Sequence, residues 1–387
     1  MNKVASVPAV FRKTADTFAA GAKTLPQQYF VSDEIFRREQ EQIFSKQWIL
    51  VGHQSQIVRN GDYFVAEVNR ESLIVIRDKN GRIHGFFNVC RHRGTRLKED
   101  ACGHASVIQC PYHAWTYGLD GRLIGAPHMD EVPGFDKADY SLRVVNLGIW
   151  EGFIFVNLAG EEAAAKGSGY KSLEEWFAPL RGKFSHWNMS ILRPAKRIEY
   201  DVRANWKLMF ENYSECYHCP GVHPMLAKVS PYDSAENDLS EGPFLGGFMK
   251  INRGAGLAMS GKACAVKIDH EQEYEQEQEN LVFYYSVFPN TLLSLHPEYV
   301  MVHQLWPKSP ERALIVCDWF FHPDAFNRPD FKPDDAIEFW DMTNKQDWHV
   351  CELSQQGIAS RAYEPGPYSS RESIPAAWDR YYLSVMH

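Results

Sequence analysis

The chain has 387 residues, 44% hydrophobic and 23% charged, a composition that excludes wholesale disorder and fills about two to three domains. A chain of this size buries a core without disulfide staples. Its 41 Lys and Arg against 49 Asp and Glu leave a formal charge of −8, which argues against nucleic acid or anionic lipid as a partner.

The N-terminal stretch to Lys23 has no continuous apolar segment with a cleavage site, so no secretory signal is read. Its basic start before Asp16 leaves an organelle transit peptide as the alternative. No later run approaches the roughly 20 apolar residues of a membrane span. Residues 24–52 begin as a loop and pass into a helix, with Ser32 as N-cap and Ile35, Phe36, Ile43 and Phe44 as its apolar stripe. From 57 to 160, short apolar runs alternate with Asn-Gly and Asp-Gly turns, which predicts a compact antiparallel β domain. Residues 160–195 read as a linker leading into a helix near Ser172, with Leu173, Trp176 and Leu180 on one stripe. Residues 197–219 run from a strand into a helix, and 281–321 read as several strands. Residues 333–357 read as a helix carrying Ile337, Phe339, Trp340 and Trp348. The fold class is α+β, a small all-β domain followed by a larger domain with a sheet and a few helices.

The eight cysteines (Cys90, Cys102, Cys110, Cys216, Cys219, Cys264, Cys317 and Cys351) are too sparse for a disulfide framework, so a reducing cytoplasm is expected. There, patterned Cys and His point to metal first. Cys90-x-His92 and Cys110-x-x-His113 are two short loops separated by seventeen residues. Two thiolates on one iron and two imidazoles on the other make a [2Fe–2S] centre of raised potential, because neutral imidazoles leave the second iron more positive. A structural Cys₂His₂ zinc site is the redox-silent alternative, and four unrelated residues the blandest one. Cys102 fits no ligand slot. The string CRHRG…CPYHAWTYGLDGRL resembles the Rieske domain of Rieske non-haem iron oxygenases, the ring-hydroxylating α subunits. The resemblance implies that Cys90, His92, Cys110 and His113 ligate the cluster.

In NWKLMFENYSECYHCPGVHP, His218 and His223 are five apart. On an unbroken helix that step is about 140°, too far to share a metal. Pro220 lies between them and is expected to break the helix, so that His223 folds back. Two imidazoles and one carboxylate on one face form the facial triad of Fe(II) oxygenases. The carboxylate must come from elsewhere: Asp347 is the choice, with Asp341 and Glu352 as rivals. This motif is also similar to the oxygenase family, whose late acidic position QDW matches.

The resemblance covers roughly residues 30–385. It implies an N-terminal arm and helix at 1–44, a Rieske domain at 45–160, and a helix-grip (START-like) catalytic domain with an antiparallel sheet at 161–387. It also implies a ring-shaped homotrimer in which the cluster of one chain serves the mononuclear iron of the next, with Glu215 as the bridge. Glu-Cys-Tyr-His-Cys looks like the branch that oxidises quaternary ammonium compounds such as carnitine, glycine betaine and stachydrine. A fixed cation without N–H donors is best held by aromatic faces, and Phe248, Tyr284, Tyr285 and Trp306 are the candidates. No phosphate-cradling loop or plant-type ferredoxin motif is read, so electrons must come from a separate NAD(P)H-dependent flavin or iron–sulfur reductase. The competing readings are oxidation of an aromatic ring or acid, a zinc-stabilised binding protein, and a pure electron-transfer Rieske protein.

Overall fold

The computed structural model describes residues 9–160, 170–265 and 280–387. It divides the chain into two compact units, Gln40–Pro179 and Met1–Glu39 with Leu180–His387.

The Gln40–Pro179 unit is built of antiparallel sheets, as its turn punctuation predicts. One sheet runs in the order Ile83–Phe87, Glu71–Arg77, Asp62–Val68, Cys102–His104, and a second sets Phe153–Asn157 between Asn146–Trp150 and Ile49–His53. A third joins Ile108–Gln109, Thr116–Tyr117 and Leu123–Gly125. The turn after Arg77 shows how the sequence sets register. Asp78 Oδ1 accepts from the backbone N–H groups of Asn80 and Arg82, each at 2.8 Å, and Gly81 takes a φ of +81° that an L side chain resists. Tyr63, Ile74, Phe86, Trp115 and Tyr117 form one core with Cys90 and Cys110, which are 2% and 3% exposed.

The resemblance puts the domain division at 160/161; in the structure the segment through Pro179 goes with the β unit, and residues 161–169 lie outside the described residues. The reason is packing: Phe177 stacks on Trp150 at 4.5 Å and meets Phe155 at 5.0 Å. The helix expected near Ser172 is a single turn, Leu173–Trp176, with Ser172 and Glu175 as a capping box. At the other end the division falls after Glu39 rather than after residue 44.

In the larger unit one open antiparallel sheet has, among the described residues, eight strands. They run in the order Arg12–Lys13, Glu236–Leu239, Phe244–Lys250, Leu281–Val287, Thr291–Leu295, Tyr299–Ser309, Arg312–Phe321, Arg193–Val202. The helix Pro333–Ile358 packs across it, with Trp340 Nε1 donating to Tyr299 Oη at 2.6 Å and Asn344 Nδ2 to Tyr200 Oη at 3.3 Å. This is the sheet and long packed helix of the helix-grip expectation. A Cβ on Gly247 would meet Glu236 O at 1.9 Å, so only glycine lets these strands approach. Among the described residues no helix is long and apolar enough to cross a membrane.

A buried charge pair ties three helices together. Ser32 Oγ accepts from the Ile35 N–H at 3.3 Å and starts the helix Asp33–Glu39, as predicted. At its end Glu39 accepts from Trp206 Nε1 (2.9 Å), Lys207 Nζ (2.5 Å) and Tyr382 Oη (2.6 Å). These donors belong to the helices Trp206–Tyr213 and Ser373–Met386. Burial lowers the Lys207 pKa, and Glu39 works against that shift. Nearby, burial pushes the Asp379 carboxyl up to about 7, and burial plus Asp379 raises Glu211.

Removing one partner of such a pair strands the other. Lys207→Met is therefore expected to cost about 3–5 kcal/mol in urea denaturation, and adding Glu39→Leu to recover most of it. If the double variant loses the sum of two single losses, the pair is not the anchor. A carboxyl whose pKa is raised by folding contributes stability at low pH that fades as pH rises through its folded value. Asp379→Asn should accordingly flatten the loss of stability between about pH 4 and 7, measured by the same titration.

Candidate functional site

Two loops of the β unit are built alike. Cys90 N–H donates to Thr95 O at 2.8 Å and Gly94 N–H to Cys90 O at 3.0 Å; Cys110 N–H donates to Trp115 O at 2.8 Å and Ala114 N–H to Cys110 O at 3.2 Å. The fifth residue of each loop turns with positive φ, +77° at Gly94 and +56° at Ala114. The two cysteines are thereby held in the core, with Cys90 Sγ 3.3 Å from Tyr117 Oη. The histidines stand at the loop tips, ring centroids 4.8 Å apart, and His92 stacks on Trp115 at 4.8 Å. Burial, with Cys110 close by, pushes the Cys90 thiol up, so a pair of thiolates is stable here only against positive charge. Cys102 lies on an exposed strand outside both loops.

In the larger unit, Asn205 caps the helix Trp206–Tyr213 by accepting from the Lys207 N–H at 3.1 Å. That helix ends at Tyr213, five residues before His218. Pro220 does not break it: it sits in the first turn of the short helix Cys219–Val222, where its missing N–H costs nothing. The turn returns the chain, and His223 N–H donates to Cys219 O at 2.8 Å. The outcome expected from Pro220 is reached by a different break.

Three donor atoms converge. His218 Nε2 and His223 Nε2 are 3.2 Å apart, and Asp347 Oδ1 lies 2.8 Å from the second and 3.3 Å from the first. Each imidazole is held from behind: Nδ1 of His218 meets Glu215 Oε1 at 2.5 Å, and Nδ1 of His223 meets Gln346 Oε1 at 2.8 Å. Acceptors at both Nδ1 atoms place a proton there and turn both Nε2 lone pairs inward. Burial disfavours charge on His218, yet Asp347 and Glu215 hold its pKa up to about 10. His218 and His223 likewise keep Asp347 low despite burial. The site therefore favours positive charge, whether a proton on His218 or a metal ion, and its donor set, two imidazoles and one carboxylate, fits ferrous iron.

The rival carboxylates point elsewhere. Asp341 accepts from Tyr200 Oη at 2.9 Å and Lys345 Nζ at 2.5 Å, and Glu352 accepts from the Arg203 N–H at 3.0 Å. Cys219 is close enough to count as a donor, with Sγ 3.9 Å from His218 Nε2. It is joined to Cys216 in a disulfide with Cα atoms 4.9 Å apart, against the reduced thiols the sequence suggests. A disulfide sulfur is no thiolate, so Asp347, not Cys219, has the donor chemistry that fits beside the two imidazoles.

The donors open onto a cavity of about 110 Å³. Phe248 and Tyr284 line it, as predicted from the sequence, but Tyr285 and Trp306 do not. Strand alternation explains both corrections. Tyr284 and Ser286 face the cavity, whereas Tyr285 points to the other side and donates to Asp238 at 2.9 Å. Met301 and His303 face it from the next strand but one, and Trp306 has the opposite parity. Sequence reasoning missed Tyr213, His303, Asn344, Gln346 and Arg371, and read Trp340 and Trp348 only as helix residues. Helical spacing carries the signal for part of this set, since 340, 344, 347 and 348 share one face. His303 is buried, which pushes its pKa down to about 4, so it stays neutral.

Two family models match the chain: the Rieske [2Fe–2S] domain over residues 47–136, and the ring hydroxylating alpha subunit (catalytic domain) over 189–386. Together they imply a [2Fe–2S] cluster and a mononuclear iron, which the two donor sets fit. The glycine betaine monooxygenase oxygenase subunit of Chromohalobacter salexigens is 31% identical over 375 residues, 90% of this chain and 82% of that protein. The carnitine monooxygenase oxygenase subunit of Acinetobacter baumannii is 30% identical over 366 residues, 94% of this chain and 91% of that one. A solved quaternary ammonium Rieske monooxygenase, described for carnitine oxidation by gut microbiota and inter-subunit electron transfer, superposes with a TM-score of 0.80. It is 26% identical and covers 99% of this chain and 100% of its own.

Asp347→Ala is expected to lose the mononuclear iron while keeping acid-labile sulfide, whereas Asp341→Asn and Glu352→Gln keep both, measured as iron and sulfide per chain. Iron retained by Asp347→Ala but lost from either rival would reassign the ligand.

Proposed function

Since the chain belongs to the ring-hydroxylating α subunits that carry a Rieske domain, we propose that this non-haem iron oxidoreductase is a terminal oxygenase component acting on a quaternary ammonium substrate of the betaine or carnitine type. It hydroxylates a carbon next to the quaternary nitrogen, and N-demethylation or C–N cleavage follows. One observation carries this reading: the cavity that holds the His218, His223 and Asp347 donors is lined by the aromatic side chains of Phe248, Tyr284, Trp340 and Trp348. Such faces attract a cation that has no N–H to donate. Neutral His303 does not repel that cation, and Glu215 and Asp347 add negative charge.

In this assignment Cys90 and Cys110 hold one iron of the cluster, His92 and His113 the other, and His218, His223 and Asp347 hold the mononuclear iron. Bound there, the cluster supplies single electrons and the ferrous iron supplies the activation of O₂. The chain's own residues do the rest. Glu215 and Gln346 fix the two imidazoles with their Nε2 lone pairs inward. The Glu215 side chain remains 11% exposed, so it can accept a further imidazole N–H from a neighbouring chain in a homotrimer. That second contact makes it the bridge between subunits. The aromatic wall holds the substrate and excludes water. One oxygen atom enters a C–H bond, and the other leaves as water with two electrons and two protons. The resulting carbinolamine collapses to a tertiary amine, an aldehyde and a proton. The electrons come from a separate NAD(P)H-dependent reductase docking on the His92–His113 edge, in the cytoplasm.

With a surrogate reductase, NADH and Fe(II), quaternary ammonium compounds should yield formaldehyde or trimethylamine. Diols or phenols from aromatic acids, with no amine product, would overturn the substrate class. Glu215→Ala should keep both metal centres and lose coupled turnover by about 10- to 100-fold, the size typical of losing such a support. Unchanged turnover would remove Glu215 from electron transfer.

A further inference from the structure

The proposed substrate class divides by charge. Betaines and carnitine carry a carboxylate as well as the quaternary nitrogen, whereas choline carries the cation alone. A wall of aromatic rings does not distinguish them, so a pocket that does must present something to the anion.

Among the described residues lining the cavity, Arg371 is the only Lys or Arg. Its guanidinium lies over the Tyr232 ring at 5.1 Å from the centroid. No ion pair among the described residues engages it. Asp233 lines the same cavity without reaching ion-pair distance, and neighbouring Glu372 is occupied in accepting the Ser369 N–H at 2.7 Å. Contact with Tyr232 leaves the Arg371 guanidinium without a carboxylate partner among the described residues, and a guanidinium receives a carboxylate through two parallel hydrogen bonds. The backbone presents it rigidly: Arg371 N–H donates to Ser369 Oγ at 3.2 Å, just ahead of the helix Ser373–Met386, whose Ile374 also lines the cavity.

We infer that Arg371, set on Tyr232, is the carboxylate anchor of this cavity and makes the enzyme selective for zwitterionic quaternary ammonium acids over purely cationic ones. The inference rests on the quaternary ammonium reading above and sharpens it. The same fixed positive charge that draws a carboxylate repels a substrate bearing only a cation, so attraction and exclusion act together.

The test compares wild type, Arg371→Gln and Arg371→Lys with glycine betaine, carnitine and choline. Steady-state kinetics are paired with anaerobic calorimetric binding to the holoenzyme, and thermal melts check folding. Wild type should prefer the carboxylate-bearing substrates. Arg371→Gln should raise their KM and Kd by about 10- to 100-fold, the usual scale for a charge-assisted pair. Its kcat should change little, and choline binding should be unchanged or tighter. Arg371→Lys should fall between, keeping charge without the fork. Equal effects on betaine and choline, or no effect on either, overturn the anchor while leaving the quaternary ammonium reading in place. So does a wild-type preference for choline. If wild type turns over none of the three, both inferences fall together.

Discussion

Three electron-rich atoms cannot sit within about 3.3 Å of one another in a buried site unless something positive, a proton or a metal ion, lies among them. That constraint at His218, His223 and Asp347 organises the larger unit. Neither histidine could meet the other on one continuous helix, so the chain ends one helix at Tyr213 and begins another at Cys219. Asp347 comes from a helix more than a hundred residues later, held in place by the Trp340–Tyr299 and Asn344–Tyr200 hydrogen bonds. Glu215 and Gln346 then remove the remaining freedom of the two rings. Sheet, long helix and capped short helix thus converge on a single small volume.

The β unit solves the opposite problem. In the proposed assignment its site holds soft anionic donors inside and leaves an edge through which electrons arrive. Two loops with the same hydrogen-bond pattern place the sulfurs in the core and the imidazoles at the tips. In the proposed reading, the cavity of the larger unit adds a third division of labour, with aromatic side chains for a cation and the Arg371 guanidinium for an anion.

Much of this was legible in the sequence because it depends on local spacing. Cys90-x-His92 and Cys110-x-x-His113 are each contained in one tight loop, so the chemistry can be read without knowing the fold. The late carboxylate was legible only through the family resemblance, since nothing local separates Asp347 from Asp341 or Glu352; the difference is which face of the helix meets the sheet. Pocket residues were half legible for the same reason. Tyr284 and Tyr285 are equivalent in composition, and the strand's orientation decides between them. Arg371 was not legible at all, because its meaning depends on Tyr232, far away in the chain. The pairing of Cys216 with Cys219 was hidden behind the expectation of a reducing compartment.

The most direct measurement is the metal and sulfide content of anaerobically purified protein, read with the spectrum of the dithionite-reduced form. About three iron atoms and two acid-labile sulfides per chain are expected, with the signal of a histidine-ligated [2Fe–2S] centre on reduction. Zinc in place of iron, no sulfide, or fewer than about two iron atoms per chain would contradict the assignment of the two metal centres.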